Sequence, residues 1–420
     1  MDINQVKQED EKDPLSKFRA YFFHPKNELY FDGNSLGKLP LKAQKTLHEV
    51  IQNQWGEGLI RSWNRYWLDI PKKIGAKYAQ LLGVEKEEIS IGESTSVRLY
   101  QILHALISSG LFPKHLTTDI LNFPTDLYVM EGLKKNFEIS PITVVSYPNE
   151  IEADIEKLKR TIKNHPGIIC LSLVSYKSAF LYPMRLLNRW AAKHSSIIVW
   201  DLSHAIGAVA IDLKKTETKI ALGCTYKYMN GGPGAPAFLY VNKIIQTNLF
   251  NPIQGWFGHQ RPFDFEKNYI PAQGIGRFAS GTPAILSMAA MEAGVDIVLE
   301  AGIESLRNKS VLQSELLLKM AQEELIPLGF LIESPIEPEY RGSHVTLSHD
   351  GAWQICQALL AGSQSHPKII PDFRPPNFIR FGITPLYTQY RDLWTLVDTL
   401  KTIMNTKSYL NFSVEKTTVT

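Results

Sequence analysis

The sequence has few cysteines, no long apolar run and little net charge, and each shortage excludes a class of protein. Its 420 residues contain three cysteines, Cys170, Cys224 and Cys356, too few and too far apart for a disulfide framework, which fits a reducing cytoplasm. Apolar runs stay well below the length of about eighteen residues that crosses a membrane, and the polar start MDINQVKQEDEKD is not expected to be an export signal. Because 45 Lys and Arg stand against 42 Asp and Glu, the net charge of +3 argues against nucleic acid as a partner.

What the sequence does contain is an alternation of short apolar runs with segments of helical periodicity. Candidate buried strands cover residues 89–91, 142–146, 168–174, 197–200, 220–224 and 238–241. Between two of them, Val97, Tyr100, Leu103 and Ile107 recur at spacings of three and four, as on one face of a helix. This alternation is typical of a mainly parallel sheet covered by helices. We therefore predict an α/β fold whose large domain has a sheet of the seven-stranded type.

The pattern changes after residue 284. Residues 284–325 are almost wholly helical, with an interruption near Ala301-Gly302, and strand-like segments at 330–333, 343–347 and 378–383 then accompany helical ones at 353–360 and 390–404. We predict a segment 1–50 that packs with the small domain, a large domain over 51–290, and a connecting helix with a small α+β domain over 291–420. The first dozen residues are charged, and we expect them to fray.

Two charged residues follow predicted strands directly. Asp201 ends the run SSIIVWD, and Lys227 ends KIALGCTYK. Both would emerge at the carboxyl edge of one sheet, where open parallel sheets bind ligands. A lysine there can attach covalently to a carbonyl cofactor, and an aspartate can hold the protonated nitrogen of a pyridine ring. Together they indicate pyridoxal phosphate, although either alone is more simply a solvated lysine or a helix-capping aspartate.

Two loops strengthen this interpretation. Strand EEISI runs through Gly92-Glu93-Ser94-Thr95-Ser96 into a predicted helix, so hydroxyl groups and free N–H groups gather at the start of that helix. This arrangement can bind a phosphate, and the simpler alternative is that a Ser or Thr caps the helix. The loop containing Phe123 and Asp126 offers a flat ring beside a carboxylate, or an ordinary proline-containing turn. Their order along the chain matches the type I fold of pyridoxal-phosphate enzymes.

Eight longer strings make the resemblance specific. They are FDGNSLG (31–37), WGEGLIRSWN (55–64), NFPTDLY (122–128), WDLSHAIGAVAIDL (200–213), GCTYKYMNGGPG (223–234), GWFGH (255–259), RGSH (341–344) and RFGITPLY (380–387). With compatible spacing over residues 30 to 400, the sequence resembles the kynureninases, which are pyridoxal-phosphate enzymes related to class V aminotransferases. One departure is Arg98, which stands where this family commonly carries Asn, directly after the phosphate loop.

The resemblance implies a role for each matching residue. Lys227 would bind the cofactor covalently, Asp201 would pair with its ring nitrogen, and Phe123 would lie against the ring, with Asp126 and His204 near the polar edge. The phosphate would be held by residues of two subunits: Thr95, Ser96 and Tyr226, with Trp256 and Thr282 from the neighbour. Such shared sites imply a homodimer.

The implied reaction is the hydrolysis of L-kynurenine to anthranilate and L-alanine, in tryptophan degradation or NAD biosynthesis, and 3-hydroxykynurenine is the alternative substrate. Arg380 would bind the substrate α-carboxylate, as suits a planar guanidinium. Lys227 would act as the base, and Tyr226 is the candidate proton donor to Cβ.

Other functions have weaker support. A cysteine desulfurase-like lyase needs a mobile nucleophilic thiol, but Cys170 and Cys224 lie in strand runs and Cys356 lies in a helical stretch. An aminotransferase stays open on fold alone. A cofactor-binding regulator would need a fused nucleic-acid module. The sequence contains neither an H-E-x-x-H nor a G-x-S-x-G motif, so we predict no metal centre and no serine hydrolase site.

Overall fold

The computed structural model describes residues 3–416. The strands are β1 (Glu28–Tyr30), β2 (Ile89–Ile91), β3 (Leu116–Asp119), β4 (Thr143–Val145), β5 (Ile168–Ser172), β6 (Ile197–Asp201), β7 (Ile220–Gly223), β8 (Phe238–Val241), β9 (Leu331–Ile332), β10 (His344–Ser348), β11 (Lys368–Ile370), β12 (Asp372–Arg374) and β13 (Phe378–Gly382). The α-helices are α1 (Ile3–Lys12), α2 (Leu41–Glu49), α3 (Ile70–Leu82), α4 (Thr95–Ser109), α5 (Pro124–Phe137), α6 (Ile155–Asn164), α7 (Met184–Lys193), α8 (Lys243–Gln246), α9 (Ile285–Ala301), α10 (Ile303–Met320), α11 (Ala352–Ala361) and α12 (Tyr390–Thr406).

The largest sheet has seven strands in the order β2-β8-β7-β6-β5-β3-β4. Its β3–β4, β3–β5, β5–β6 and β6–β7 pairs are parallel, whereas β8 runs antiparallel to both β7 and β2. Six strands therefore share one direction, and the predicted α/β class with a mainly parallel seven-stranded sheet is confirmed.

Both faces of the sheet are covered at its central strands, which explains why β5, β6 and β7 are mostly apolar at successive positions. In β6, Ile198 and Trp200 belong to the core on one face, and Ile197 and Val199 to the core on the other. This follows from the two-residue period of a strand. All six strand segments predicted for the large domain are present, with ends that differ by at most two residues. Strand β3 escaped prediction because its buried positions include Thr117 and Thr118, which break the apolar run.

A second core lies in the C-terminal part of the chain. A four-stranded antiparallel sheet, β12-β13-β10-β9, packs with α10, α11 and α12. Helix α9 contributes Met291 and Val295 to the large core, while Leu316 and Leu317 of α10 join the second core. The chain thus crosses between the two cores along α10. None of the helices between residues 3 and 416 combines the length and apolar character that a membrane span requires.

The N-terminal segment contacts both cores. Strand β1 pairs with β11, and Phe18 and Phe22 lie in the large core. The expectation that the first dozen residues fray is wrong for the described part, because α1 buries Val6 in the second core. Asp10 also accepts hydrogen bonds from the first N–H groups of α12 at 2.7 and 3.2 Å, where a carboxylate favours the helix dipole.

Candidate active site

Strands β6 and β7 deliver the two central residues to one edge of the sheet. Asp201 is the last residue of β6, and Lys227 follows β7 by four residues. The two strands are parallel, with Asp201 in register with Leu222. Their carboxyl ends therefore lie at the same edge of the sheet, as the sequence predicted.

The surroundings of Lys227 favour its neutral form. Its Nζ atom is 3.2 Å from Nε2 and 3.4 Å from Nδ1 of His204, and 5.8 Å from the centre of the Phe123 ring. Burial lowers the pKa of Lys227, and the charges of Arg380 and Arg374 act in the same direction against Cys224 and Asp201. Burial and then Lys227 hold the pKa of His204 well below its usual range, so His204 is neutral. Lys227 is therefore more readily present as a free amine at neutral pH than an ordinary lysine is.

Two buried carboxylates lie close to Lys227. Asp201 accepts a hydrogen bond from the Ser203 N–H at 2.8 Å. Burial raises the pKa of Asp201, against the opposing effects of Ser203 and Lys227. Asp126, in the first turn of α5, has a pKa raised well above its usual range by burial and then by the Asp201 charge. The structure thus brings Asp126, Asp201, His204 and Lys227 together.

Phe123 is held in place by the residue before it. Asn122 donates from Nδ2 to the Cys170 carbonyl oxygen at 3.2 Å, and its Oδ1 accepts from Ser172 at 2.6 Å and from the Phe123 N–H at 3.0 Å. The Phe123 ring meets Tyr176 edge-on, with centroids 5.2 Å apart. The ring is 38% exposed, so one aromatic face is available beside Lys227.

The predicted phosphate loop joins β2 to α4. The Ser94 side chain caps α4 by accepting from the Val97 N–H at 3.4 Å, and Thr95 and Ser96 form the first turn. The loop turns through a left-handed backbone at Glu93, with φ of 56°. Since the first N–H groups of a helix have no partner within it, this end of α4 can bind an anion.

Tyr226 is half-buried beside Lys227. Its carbonyl oxygen accepts from the Gly37 N–H at 2.7 Å. A side chain at position 37 would overlap the Lys227 carbonyl oxygen, which explains the glycine there. Burial raises the pKa of the Tyr226 phenol, so this group keeps its proton at neutral pH.

Arg380 differs most from its expected surroundings. Its side chain is 1% exposed, and its guanidinium donates from two nitrogens to Asp372 and from the third to the Tyr176 carbonyl oxygen. It also donates to the Ser35 hydroxyl at 3.2 Å. The sequence predicted that Arg380 binds the substrate carboxylate, and the structure shows that its guanidinium also contacts several protein groups.

A second arginine, not identified from the sequence, shares these partners. Arg374 lies 3.3 Å from Asp372 and from Ser35, and its side chain is 37% exposed. Asp372 and Arg380 face each other across the β12–β13 pair, and Arg374 is two residues along β12, on the same face as Asp372. No signal in the sequence identified this cluster, because three residues of mixed polarity are too few to mark β12 as a strand.

Trp256 and Thr282 are both exposed in the single chain. The Trp256 ring stacks on Phe265 and meets Phe257 and Phe263 edge-on, with centroids between 4.4 and 6.2 Å. This exposed aromatic group is the kind of surface that usually meets another protein.

Family models match almost all of the two cores. Residues 306–400 match the kynureninase C-terminal domain, and residues 61–346 match the class V aminotransferases. The kynureninase of Pseudomonas fluorescens is 35% identical over 405 residues, which cover 95% of each chain, and that of Burkholderia pseudomallei is 34% identical over the same share.

The chain belongs to the kynureninase family. The predicted family, and with it the predicted class of pyridoxal-phosphate-dependent enzyme, is confirmed. Solved structures resemble it in fold. The apo cysteine desulfurase of Thermococcus onnurineus has a TM-score of 0.76 at 16% identity, covering 96% of this chain and 98% of its own. A C-DES variant with glycine linked covalently to its PLP cofactor has a TM-score of 0.79 at 17% identity, covering 91% and 98%. At such identities the likeness shows the fold alone, which kynureninases share with these lyases.

Proposed function

We propose that this protein hydrolyses the Cβ–Cγ bond of L-kynurenine to give anthranilate and L-alanine, with pyridoxal 5'-phosphate bound at the carboxyl edge of the large sheet. One observation carries the proposal. In a chain that matches a kynureninase over 95% of its length, Lys227 lies 3.2 Å from His204 and faces the Phe123 ring. The 3-hydroxylated substrate is the alternative.

The residues present fit the phosphate end of the cofactor. Thr95 and Ser96 supply hydroxyl groups and N–H groups at the start of a helix of 15 residues, where the helix dipole favours a dianion. Tyr226, half-buried beside Lys227, would add a phenol on the other side.

The residues also fit the ring end. Phe123 presents a flat face 5.8 Å from the Lys227 amine, suited to a planar heterocycle. Asp201 supplies a buried carboxylate that would hold the proton on a pyridine nitrogen. Asp126 and His204 flank this position.

When bound, pyridoxal phosphate withdraws electrons from the substrate α-carbon into its protonated ring. Lys227, whose pKa is lowered by burial, would take the α-proton as a free amine. Asp201 would keep the ring nitrogen protonated. Tyr226, whose pKa is raised by burial, would give its proton to Cβ of the alanine product after water has attacked the γ-carbonyl.

The substrate carboxylate would bind at the arginine pair. Arg380 is fixed by Asp372, and Arg374 is more exposed beside it. We infer that the two guanidinium groups together hold the carboxylate, with Arg374 as the outer contact. Such charge-assisted hydrogen bonds give both affinity and orientation.

The structural likeness to cysteine desulfurases does not extend to a reactive thiol. Cys170, Cys224 and Cys356 are all buried and free, and burial raises the pKa of each thiol. A nucleophilic cysteine needs the opposite environment. These unpaired thiols also support the proposed location in a reducing cytoplasm.

A homodimer is the proposed functional unit. The exposed aromatic group includes Trp256, Phe263 and Phe265, of which the last is 76% exposed. We propose that a second copy covers this surface and receives Trp256 and Thr282 at its cofactor phosphate. A small-molecule substrate and this second copy are the proposed partners.

The activity is tested with purified protein loaded with pyridoxal phosphate. Fluorescent anthranilate should be released from L-kynurenine without any added keto acid, and Lys227→Ala should release none. A loaded protein that converts kynurenine only when a keto acid is supplied would instead be an aminotransferase. One that releases sulfur from cysteine and leaves kynurenine intact would be a desulfurase.

The shared site is tested by mixing differently tagged Lys227→Ala and Trp256→Ala chains, after each homodimer has been shown to be impaired. In the heterodimer one site receives both defects and the other receives neither, so up to about half of the wild-type activity should return. If purified heterodimers stay inactive, Trp256 serves its own subunit.

A further inference from the structure

Arg98, the residue that departs from the family pattern, is buried at the phosphate loop and makes an unusual set of contacts. Its side chain is fully buried, and its Nε atom donates to the Gly92 carbonyl oxygen at 3.0 Å. Nη2 donates to the Ser90 hydroxyl at 2.9 Å. A side chain at position 92 would come within 3.0 Å of Nη2, so the glycine lets the guanidinium lie against the loop. Arg98 therefore braces the turn that precedes Thr95.

The same guanidinium reaches a second segment, far away in the chain. Nη1 donates to the Phe278 carbonyl oxygen at 2.7 Å and to Oε1 of Gln101 at 3.1 Å. Gln101, one turn further along α4, donates to the Ser280 hydroxyl at 2.9 Å. Arg98 and Gln101 thus fasten the backbone at 278–280 to the helix that carries the phosphate loop.

Residues 278–280 in turn support the proposed partner-facing residues. The Ser280 carbonyl oxygen accepts from the Phe257 N–H at 3.2 Å. A side chain at Gly255 would overlap Ser280, so the turn bearing Trp256 lies directly on this backbone. Thr282 follows two residues later. One buried arginine therefore contacts both the loop of its own site and the backbone that supports the residues proposed to enter the neighbour's site.

The chemistry of the contacts favours an arginine. The four acceptors of its side chain are two backbone carbonyl groups, an amide and a hydroxyl, all neutral. A fork of five fixed donors can bind acceptors in several directions at once, whereas a lysine offers a single point. The Arg98 charge also lies beside a loop suited to a dianion, although Glu93 of that loop partly balances it.

We propose that Arg98 is a positioning residue that couples the two cofactor sites of the dimer, by tying the phosphate loop of its own subunit to the segment that completes the partner's site. The proposal rests on the proposed function, because it requires the shared site. Loss of Arg98 should then weaken cofactor binding in its own site and also in the partner's site, whose own Arg98 is intact.

The test uses heterodimers with one site able to bind the cofactor covalently. A chain carrying Lys227→Ala is paired with a wild-type chain, and the affinity for pyridoxal phosphate is measured from the absorbance of the lysine-bound cofactor. Adding Arg98→Met to the Lys227→Ala chain leaves the competent site's own lysine, loop and arginine unchanged. We expect about a tenfold loss of affinity there, the size associated with one hydrogen bond to a charged group.

A control separates failure of this proposal from failure of the shared site. Thr282→Ala, added to the Lys227→Ala chain in place of Arg98→Met, must weaken the competent site. If it does not, the shared site is wrong. If it does and Arg98→Met leaves the affinity unchanged, the coupling through Arg98 is wrong.

Milder variants cover the case in which Arg98→Met prevents dimer assembly, as judged by sedimentation. Arg98→Lys keeps the charge but cannot satisfy the four acceptors, and Ser280→Ala removes one hydroxyl and leaves Arg98 in place. Each should reduce affinity in the partner's site by a smaller factor than Arg98→Met would. An unchanged affinity with both, in dimers of wild-type thermal stability, would overturn the proposal.

Discussion

Replacing Arg380 by alanine should damage both the fold and substrate capture. The sequence suggested a ligand-binding arginine alone, but the structure pairs Arg380 with Asp372, and both side chains are almost fully buried, at 1% and 4% exposure. Removing the guanidinium leaves a buried carboxylate whose nearest remaining cation is Arg374, at 3.3 Å. The variant therefore tests two roles of one side chain.

The two effects have comparable sizes. Breaking a buried ion pair by removing one partner costs about 3–5 kcal/mol, a large part of a typical unfolding free energy of about 5–15 kcal/mol. Losing a charge-assisted hydrogen bond to the substrate carboxylate costs about 1.5–3 kcal/mol, which raises KM by about 10- to 150-fold. Arg374 should reduce the first loss somewhat, because it can move toward Asp372.

The assay combines urea unfolding with the KM for anthranilate release. Arg380→Ala should lose stability and affinity together. The double variant Arg380→Ala/Asp372→Asn should recover most of the stability, because no buried charge is left unpaired. It should recover none of the affinity for the substrate. Arg374→Ala is the matched control, since this more exposed arginine should lose affinity at a cost of less than about 1 kcal/mol in stability.

Two results would refute this reasoning. Wild-type unfolding of Arg380→Ala would mean that the pair with Asp372 contributes nothing to the fold. An unchanged KM in the Arg380→Ala/Asp372→Asn variant would mean that Arg380 does not contact the substrate, and Arg374 would then be the carboxylate-binding residue by itself.

Three further predictions follow from the site. Lys227→Ala should lose all turnover and keep its fold, because the amine is lost while the phosphate loop is unchanged. Circular dichroism and anthranilate release test this. Turnover near the wild-type rate would show that Lys227 has no part in the mechanism. Burial and the Asp372 charge raise the pKa of Asp32 to about 7. Ionised Asp32 would repel a substrate carboxylate bound at the nearby arginines. The KM should therefore rise as pH increases through about 7, and Asp32→Asn should abolish the rise. If the KM of the variant still follows the wild-type pH profile, Asp32 is not the source of the rise. Cys356→Ala should retain the kcat for kynurenine, since this thiol lies in the second core. A large fall in kcat at unchanged stability would indicate that the thiol takes part in the reaction.

The large sheet and the position of Lys227 were predictable because they depend on local patterns. Strands covered on both faces must be apolar at successive positions, so β5, β6 and β7 stand out in the sequence. Parallel strands end at one edge, so residues following them converge without any knowledge of long-range contacts. This is why Asp201 and Lys227 could be placed together from their spacing alone.

The arginine contacts were not predictable, because their partners are remote in sequence. Arg98 occupies a helix position where a long cation usually reaches solvent, yet one of its acceptors comes from a residue 180 positions later. Strand β12 has three residues of mixed polarity, too short to show alternation, and it carries both Asp372 and Arg374. Periodicity shows which face of an element is buried, but it does not show which polar groups a distant segment brings to that face.

The two buried carboxylates show how neighbouring groups of one type take different roles. Burial raises the pKa of both carboxyl groups. A hydrogen bond from Ser203 and the Lys227 charge oppose this rise at Asp201. At Asp126 the Asp201 charge raises the pKa further. Asp126 therefore holds a proton more readily than Asp201 does, and Asp201 more readily carries the negative charge. This division suits the proposed chemistry, because a single fixed anion can hold a protonated ring nitrogen, whereas two anions would also hold the proton on Lys227 and remove the base. A protonated Asp126 would lower the negative charge near Lys227, which would help to keep the amine free to accept a proton.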